Sequence, residues 1–189
     1  MQTTIAKMFN RTGEHTLLQQ AAMVLVGSLL LAVSAKVQVP FWPVPMTMQT
    51  LVVLMIGAHA GKRIAGATVL AYLLEGAAGL PVFSTGAGLA FMVGPTGGYL
   101  LGFLASTMIV SLAVERGFTQ RLPFALAVFI VADLTILALG VAWLSTLIGF
   151  DKAVMVGAVP FLPAEALKIA LATASLFVVR RFSVQKIEG

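Results

Sequence analysis

Four ionisable side chains stand inside long apolar stretches of this sequence: Glu75, Asp133, Glu165 and Lys168. An ionisable group in the middle of a membrane helix costs about 2.5–3.5 kcal/mol on insertion scales, so chains keep such groups mainly where they have a role. These residues are therefore the first candidates for a functional site, provided that the apolar stretches around them span a membrane.

Glu165 and Lys168 are the strongest candidates because residues three apart share one face of a helix. A carboxylate accepts hydrogen bonds and an ammonium group donates three, so the pair suits a small polar group with both donors and acceptors. The spacing alone is equally consistent with a structural ion pair that only orients the helix.

The other two candidates have less specific surroundings. Asp133 lies near the middle of its apolar stretch without a charged neighbour in sequence. Three roles are open for Asp133: binding substrate, carrying a proton, or hydrogen bonding to a neighbouring helix. The last of these, a structural role, is favoured. Glu75 is favoured as an acceptor for backbone amides of the loop that follows it.

The composition indicates a membrane protein. Residues of the AVILMFWYC set make up 59% of the chain, charged residues only 10%, and the mean hydropathy is +1.01. Soluble chains average about 25% charged residues, so too few polar side chains remain here to cover a water-facing surface. The absence of cysteine excludes a disulfide scaffold and, with only two histidines, a His/Cys zinc site.

Six stretches approach the roughly 20 apolar residues that a membrane helix needs. We predict an all-α polytopic protein, a single integral-membrane domain over residues 1–189. Its six transmembrane helices are expected at about 17–35, 46–60, 64–80, 96–114, 122–148 and 163–179. Breaks rich in Pro and Gly separate several of them, at 39–45, 79–88 and 149–152.

The basic residues predict the orientation. With six helices, nine of the twelve basic residues fall on one side: Lys7, Arg11, Lys62, Arg63, Arg116, Arg121, Arg180, Arg181 and Lys186. Only Lys36 and Lys152 fall on the other side. The positive-inside rule then places both termini in the cytoplasm of a multi-pass cell-membrane protein. The net charge of +5 is thus a topology signal, and no nucleic-acid partner is expected.

Catalytic signatures are missing from the sequence. The glycine-rich GPTGGY at 94–99 lacks the Lys-Ser/Thr of a phosphate-binding loop. Ser84 lies in VFST, outside a Gly-x-Ser-Gly frame, and no histidine is expected on the same side of the membrane to activate it. We therefore predict that the chain is not an enzyme and that any ATP hydrolysis belongs to a partner.

Small residues recur at four-residue spacing, which lets helix backbones approach closely. Gly57 and Gly61, and Gly94, Gly98 and Gly102, are interpreted as intramolecular packing positions. Ser28 and Ala32 form a small-residue face on the first helix, and we hypothesise that this face docks a partner subunit.

Several loops resemble one transporter family. The runs PVPMTMQTLVVLMIG (43–57), YLLEGAAGLPVFSTGAG (72–88) and GPTGGYLLGF (94–103) resemble the BioY family. BioY proteins are biotin-specific substrate-binding membrane subunits, called S components, of energy-coupling-factor (ECF) transporters. The segment FLPAEALKIALA (161–172) resembles the sixth-helix motif of the family, in which an acidic residue precedes a lysine by three positions.

The resemblance implies a six-helix bundle with a biotin pocket open to the outside. It implies that Glu165 and Lys168 contact biotin, although the family more often has Asp at the position of Glu165. Thr85 stands where the family often has a polar amide. Tyr99, Phe83, and Phe41 or Trp42 are expected to form the apolar walls.

The resemblance also implies the partners. Biotin is the transported substrate and no cofactor is expected. An ECF transmembrane subunit and two ATPase subunits would supply the energy, while action as a solitary or oligomeric protein stays open. Two alternatives are an S component for another small vitamin and, of a different class, an intramembrane enzyme.

Overall fold

The structure of the chain is a computed structural model that describes residues 16–188, with side chains through residue 181. Lys7 and Arg11, which contributed to the predicted orientation, lie outside the described residues, as does the side chain of Lys186.

The chain is mostly helical, as predicted. In chain order the elements are α1 (Leu17–Lys36), β1 (Gln38–Val39), β2 (Met46–Thr47), α2 (Gln49–His59), α3 (Lys62–Ala77), α4 (Gly88–Met92), α5 (Gly97–Glu115), α6 (Leu122–Ile148), α7 (Phe150–Gly157) and α8 (Leu162–Glu188). A 3-10 turn, Val159–Phe161, leads into α8.

Four short elements, β1, β2, α4 and α7, were not predicted from the sequence, and β2 lies within the stretch expected to be the helix 46–60. The strands β1 and β2 pair antiparallel, with Gln38 opposite Thr47 and Val39 opposite Met46, because the proline-rich run between them turns the chain back. Strands of two residues leave no alternating pattern, so the all-α prediction missed them. Helices α4 and α7 are likewise too short for a hydropathy signal, and Gly149, at φ +85°, ends α6 directly before α7.

Within residues 16–188, four segments are long and apolar enough to cross a membrane: Leu17–Lys36, Gly97–Glu115, Leu122–Ile148 and Phe150–Arg181. The helices α2 and α3 have 11 and 16 residues, or about 16 and 24 Å at 1.5 Å per residue. Both are shorter than the hydrocarbon core of about 30 Å. The chain is thus a membrane protein with several spans, and the count of six stays a prediction.

The molecule buries polar side chains and exposes apolar ones. On α1, Leu25, Leu29 and Val33 are each more than half exposed. The buried polar or charged residues include Ser34, Gln49, Thr50, Thr68, Ser106, Thr107, Ser111, Asp133, Glu165, Lys168 and Thr173. This distribution is what a lipid solvent selects, since lipid accepts apolar surface and offers no hydrogen bonds.

Small residues bring the helices together within the chain. A Cβ atom on Gly102 of α5 would lie 2.8 Å from the Cα atom of Ile136 on α6, so these backbones touch only because residue 102 is glycine. The predicted role of the glycine spacing in intramolecular packing is confirmed at this position.

The docking hypothesis for Ser28 is wrong. Ser28 is 2% exposed, and its Oγ donates to Oε1 of Glu75 at 2.9 Å, which joins α1 to α3. Ser28 therefore faces the interior of this chain, where a partner subunit has no access. The same contact gives Glu75 an interhelical partner in place of the loop amides that the sequence favoured.

Candidate functional site

A cavity lies between the β1–β2 hairpin, helices α2, α3, α5 and α6, and the start of α8. Its free space is about 540 Å³, including the part that opens to the exterior. Its aromatic lining residues are Tyr72, Phe83, Phe91, Tyr99, Phe103 and Phe161, and its polar ones are Thr47, Gln49, Thr50, Ser84, Thr96 and Glu165.

The loop after α3 contributes one aromatic wall. Phe83 is fully buried, meets the Tyr72 ring edge-on at 5.5 Å between centroids and stacks on Phe91 at 5.0 Å. Lys36, at the end of α1, donates to the backbone oxygen of Phe83 and holds this loop in place. Nε2 of Gln49 donates to the Tyr72 hydroxyl at 2.7 Å, which fixes the second ring.

Tyr99 forms part of the opposite wall. It lies in the first turn of α5, directly after Gly97 and Gly98 of the GPTGGYL run. Its hydroxyl donates to the backbone oxygen of Gly157 at 2.7 Å, which ties α5 to the end of α7. The ring is therefore held rigidly beside the cavity.

Glu165 and Lys168 form a buried ion pair at the polar wall. Both residues are 4% exposed, and Nζ of Lys168 lies 2.8 Å from Oε1 of Glu165. The Thr50 hydroxyl donates to Oε2 of Glu165 at 2.7 Å and accepts from Lys168 at 2.9 Å. A third bond runs from Lys168 to the backbone oxygen of Thr47 at 2.7 Å.

This arrangement occupies every donor of Lys168. An ammonium group has three N–H bonds, and the three acceptors belong to Thr47, Thr50 and Glu165, all of which line the cavity. Lys168 itself lies one layer behind the lining. Each Glu165 oxygen keeps a lone pair for a further donor, so Glu165 is the charged group that the cavity offers to a ligand.

Thr96 is a second polar group that faces the cavity. Its Oγ1 is buried and, among the residues that the structure describes, has no hydrogen-bond partner. A buried hydroxyl without a partner is costly, so a ligand that bonds to it gains that energy back.

The structure brings some of the predicted site residues together and leaves others apart. Glu165, Phe83 and Tyr99 line the cavity, and Lys168 bonds to its wall. Phe41, 42% exposed, meets the lining residue Phe161 edge-on at 6.2 Å between centroids.

Two predicted positions lie away from the cavity. Thr85 is exposed, whereas its neighbour Ser84 is buried and lines the cavity. Trp42 is 85% exposed and is also absent from the lining.

Sequence reasoning missed several polar lining residues, among them Gln49, Thr50, Tyr72 and Thr96. All four stand inside the runs whose resemblance to a family was noted, MTMQT, YLLEG and GPTGGY. Their uncharged side chains carry no insertion cost large enough to mark them. The sequence could have indicated these residues if every polar side chain inside those runs, and not only the charged ones, had been taken as a candidate.

Comparison with known proteins is consistent with a binding role. The BioY family model matches residues 3–184. Among curated relatives, the biotin transporter BioY2 of Lactococcus lactis is 33% identical over 85% of this chain and 89% of its own length. The biotin transporter BioY of Thermotoga maritima is 34% identical over 83% of this chain and 93% of its own.

A solved structure shares the fold. The crystal structure of the S-component for biotin from an ECF-type ABC transporter superposes with a TM-score of 0.74 and 21% identity. The match covers 88% of this chain and 95% of that one.

Proposed function

The chain belongs to the BioY family, and we propose that it is an S component that captures biotin from outside the cell membrane for uptake. BioY proteins are transporter components rather than enzymes. The observation that carries the proposal is an aromatic cavity with the charged lining residue Glu165, which forms an ion pair with Lys168 behind it.

The chemistry of the cavity suits biotin. The ureido group of biotin has two N–H donors and one carbonyl, its fused rings are apolar, and its tail ends in a carboxylate. We propose that Glu165 accepts a ureido N–H, that the Thr96 hydroxyl donates to an oxygen, and that Phe83 and Tyr99 pack against the rings. Lys168 reaches a biotin oxygen by releasing one of its three present acceptors.

We further propose six membrane spans with both termini in the cytoplasm. The two short helices α2 and α3 then complete the bundle, with the hairpin and the loop after α3 filling the remaining depth as protein-buried backbone. The basic residues at the α2–α3 and α5–α6 connections support this orientation.

Energy for transport is proposed to come from an ECF module of one transmembrane subunit and two ATPase subunits. Two observations support this: the structural neighbour is a component of an ECF-type ABC transporter, and this chain has no phosphate-binding loop of its own. Co-purification of the module with this chain, compared with uptake by the chain alone, separates the coupled from the solitary mode.

Titration of the detergent-purified protein tests the ligand. Biotin is expected to bind tightly, while riboflavin and thiamine are expected not to compete. Lys168→Ala is expected to weaken biotin binding at least about 10-fold, since a hydrogen bond to a charged group is worth about 1.5–3 kcal/mol. The matched control is Lys152→Ala, which removes an exposed lysine from α7 and is expected to bind as wild type.

A double variant separates binding from folding. Lys168→Ala alone leaves a buried uncompensated carboxylate, which destabilises the fold. Glu165→Gln with Lys168→Met removes both charges and is expected to fold while binding biotin poorly. Wild-type affinity in the folded double variant would show that the pair is structural only, and tighter binding of riboflavin or thiamine would reassign the ligand.

A further inference from the structure

Lys36 is a basic residue beside the cavity that the binding scheme above does not use. It is the last residue of α1, is exposed, and is not one of the lining residues. Its Nζ donates to the backbone oxygen of Phe83 and lies 3.5 Å from that of Ser84, and both of these residues line the cavity. The ammonium group of Lys36 therefore lies at the edge of the cavity.

The contacts on both sides of Lys36 fix the position of this charge. Phe83 is fully buried and stacks on Phe91 at 5.0 Å between ring centroids, so the backbone oxygen that accepts from Lys36 belongs to an anchored residue. On the other side, the backbone N–H of Met48 donates to the backbone oxygen of Val37 at 3.0 Å, which ties the residue after Lys36 to the end of the β1–β2 hairpin. A charge held in this way needs little reordering when a ligand binds.

The ammonium group of Lys36 keeps donor capacity for a ligand. It has three N–H bonds. One of them goes to the backbone oxygen of Phe83, and the distance of 3.5 Å to the backbone oxygen of Ser84 is at the long end for a hydrogen bond. The third N–H has no acceptor among the residues that the structure describes. A ligand atom can therefore bond to Lys36 without displacing the loop after α3.

Lys36 also lacks a carboxylate partner within the described part of the chain. Its two acceptors there are backbone oxygens, which carry only partial charge. Two acids of the bundle have other partners: Glu75 accepts from Ser28, about 12 Å back along α1 from Lys36, and Glu165 pairs with Lys168. Because hydrogen bonds between an ammonium group and an anion are the strong ones, an anionic ligand is the partner that this site favours.

We propose that Lys36 binds the tail carboxylate of biotin. The scheme above assigns the ureido group and the rings and gives the carboxylate no partner of its own, while the donors of Lys168 are occupied. Lys36 keeps its bond to Phe83 and directs its free N–H to the carboxylate. It is thus a specificity-determining residue of the site, a role that rests on the proposed function, and it selects ligands whose tail is ionised.

Two matched ligands test this role. Biotinamide has a neutral carboxamide in place of the carboxylate and otherwise the same shape as biotin. Wild type is expected to bind biotin at least about 10-fold more tightly than biotinamide, because a bond between two charged groups is stronger than one to a neutral group. Lys36→Met keeps an unbranched side chain without the charge, so its affinities for the two ligands are expected to be about equal. Wild-type preference for biotin in folded Lys36→Met would overturn the proposal.

The ratio of the two affinities separates recognition of the carboxylate from support of the loop. Loss of the bond from Lys36 to Phe83 alone would weaken both ligands alike, so a uniform loss in Lys36→Met would refute the proposal. A second variant, Lys36→Gln, lacks the charge but keeps an amide N–H for the backbone oxygen of Phe83, and decides the matter if Lys36→Met does not fold. Lys36→Gln is expected to lose most of the preference for biotin, and a preference as large as that of wild type would overturn the proposal.

The matched control is Lys152→Met. Lys152 is exposed on α7, does not line the cavity, and lies on the same side of the membrane as Lys36 in the proposed orientation. The preference for biotin should persist in this variant, and an equal loss in both methionine variants would refute a specific role of Lys36. A wild-type protein that binds neither ligand would refute the proposed function, whereas one that binds both ligands equally would refute only the role of Lys36.

Discussion

At the scale of single residues, Thr50 is the junction of the polar wall. Its hydroxyl donates to Glu165 and accepts from Lys168, so one small side chain completes the hydrogen bonding of both charges. Two buried charges are tolerated only when such additional bonds satisfy them. The hydroxyl group of Thr50 is therefore as necessary to the site as the charged pair Glu165 and Lys168.

Replacing this hydroxyl should affect both folding and binding. Thr50→Val keeps the shape but removes both bonds, and is expected to destabilise the protein by about 2–4 kcal/mol and to weaken biotin binding. Thr50→Ser keeps the hydroxyl and should lose less than about 1 kcal/mol. Thermal unfolding in detergent and biotin titration measure the two effects.

The matched control is Thr173→Val. Thr173 is 3% exposed, but its hydroxyl donates within α8, to the backbone oxygen of Ile169 at 2.8 Å. Its loss should leave biotin binding unchanged. Equal losses of affinity in the two valine variants would mean that Thr50 has no special place in the site.

At the scale of the elements, the contact between α5 and α6 determines the shape of the cavity. Both helices contribute lining residues, including Leu100 and Phe103 from α5 and Ile136 from α6. Gly102 lies in this interface and permits backbone contact. The separation of the two helices, and hence the width of the cavity, depends on Gly102, which is not one of the lining residues.

An added methyl group at this interface should therefore change the width of the cavity without lying in the cavity itself. In Gly102→Ala the new Cβ would lie 2.8 Å from Ile136 Cα, so the helices must separate. We expect a loss of about 1–3 kcal/mol in stability, typical of overpacking, and weaker biotin binding. Thermal unfolding in detergent and biotin titration measure both.

The control for the added methyl group is Gly66→Ala on α3. There the new Cβ meets only the flexible Met108 side chain, 3.2 Å from its Sδ. Because alanine is the better helix former, this variant should match or exceed wild-type stability. A Gly102→Ala protein as stable and as tight-binding as Gly66→Ala would refute the argument.

At the scale of the whole molecule, the lipid environment explains the inverted distribution of polarity. Apolar side chains cover much of the outside of α1, while the charged pair and most of the described threonines of the helices are inside. The energetic cost of unsatisfied polar groups in lipid concentrates them in the interior, where the cavity wall is built from them. The cost of leaving polar groups unsatisfied in lipid therefore explains both the fold and the position of the site.

The proposed orientation is testable by labelling. The natural sequence has no cysteine, so single-cysteine variants give an unambiguous signal. A membrane-impermeant maleimide added to intact cells is expected to label Lys152→Cys, on α7, and to label Arg116→Cys, after α5, only once the membrane is permeabilised. The reverse pattern would invert the proposed topology.

Local patterns in the sequence were sufficient to predict the membrane environment and the approximate helix positions, and to single out Glu165 and Lys168, whose contact with biotin stays a prediction. Each of these follows from a property of a short segment: apolar runs of sufficient length, breaks at Pro and Gly, and charges in a costly place. Helix ends were predicted less accurately, as the stretch expected at 46–60 shows, where β2 precedes α2.

Only the tertiary structure shows which side chains contact each other. Folding brings Thr47 and Thr50 to Lys168 across more than a hundred residues of chain, turns Ser28 inward, and puts Ser84 in the cavity in place of Thr85. Such partnerships depend on the rotation of each helix about its axis and on close approaches between helices. Spacing along the chain carries no information about either, because these contacts join residues that are distant in sequence.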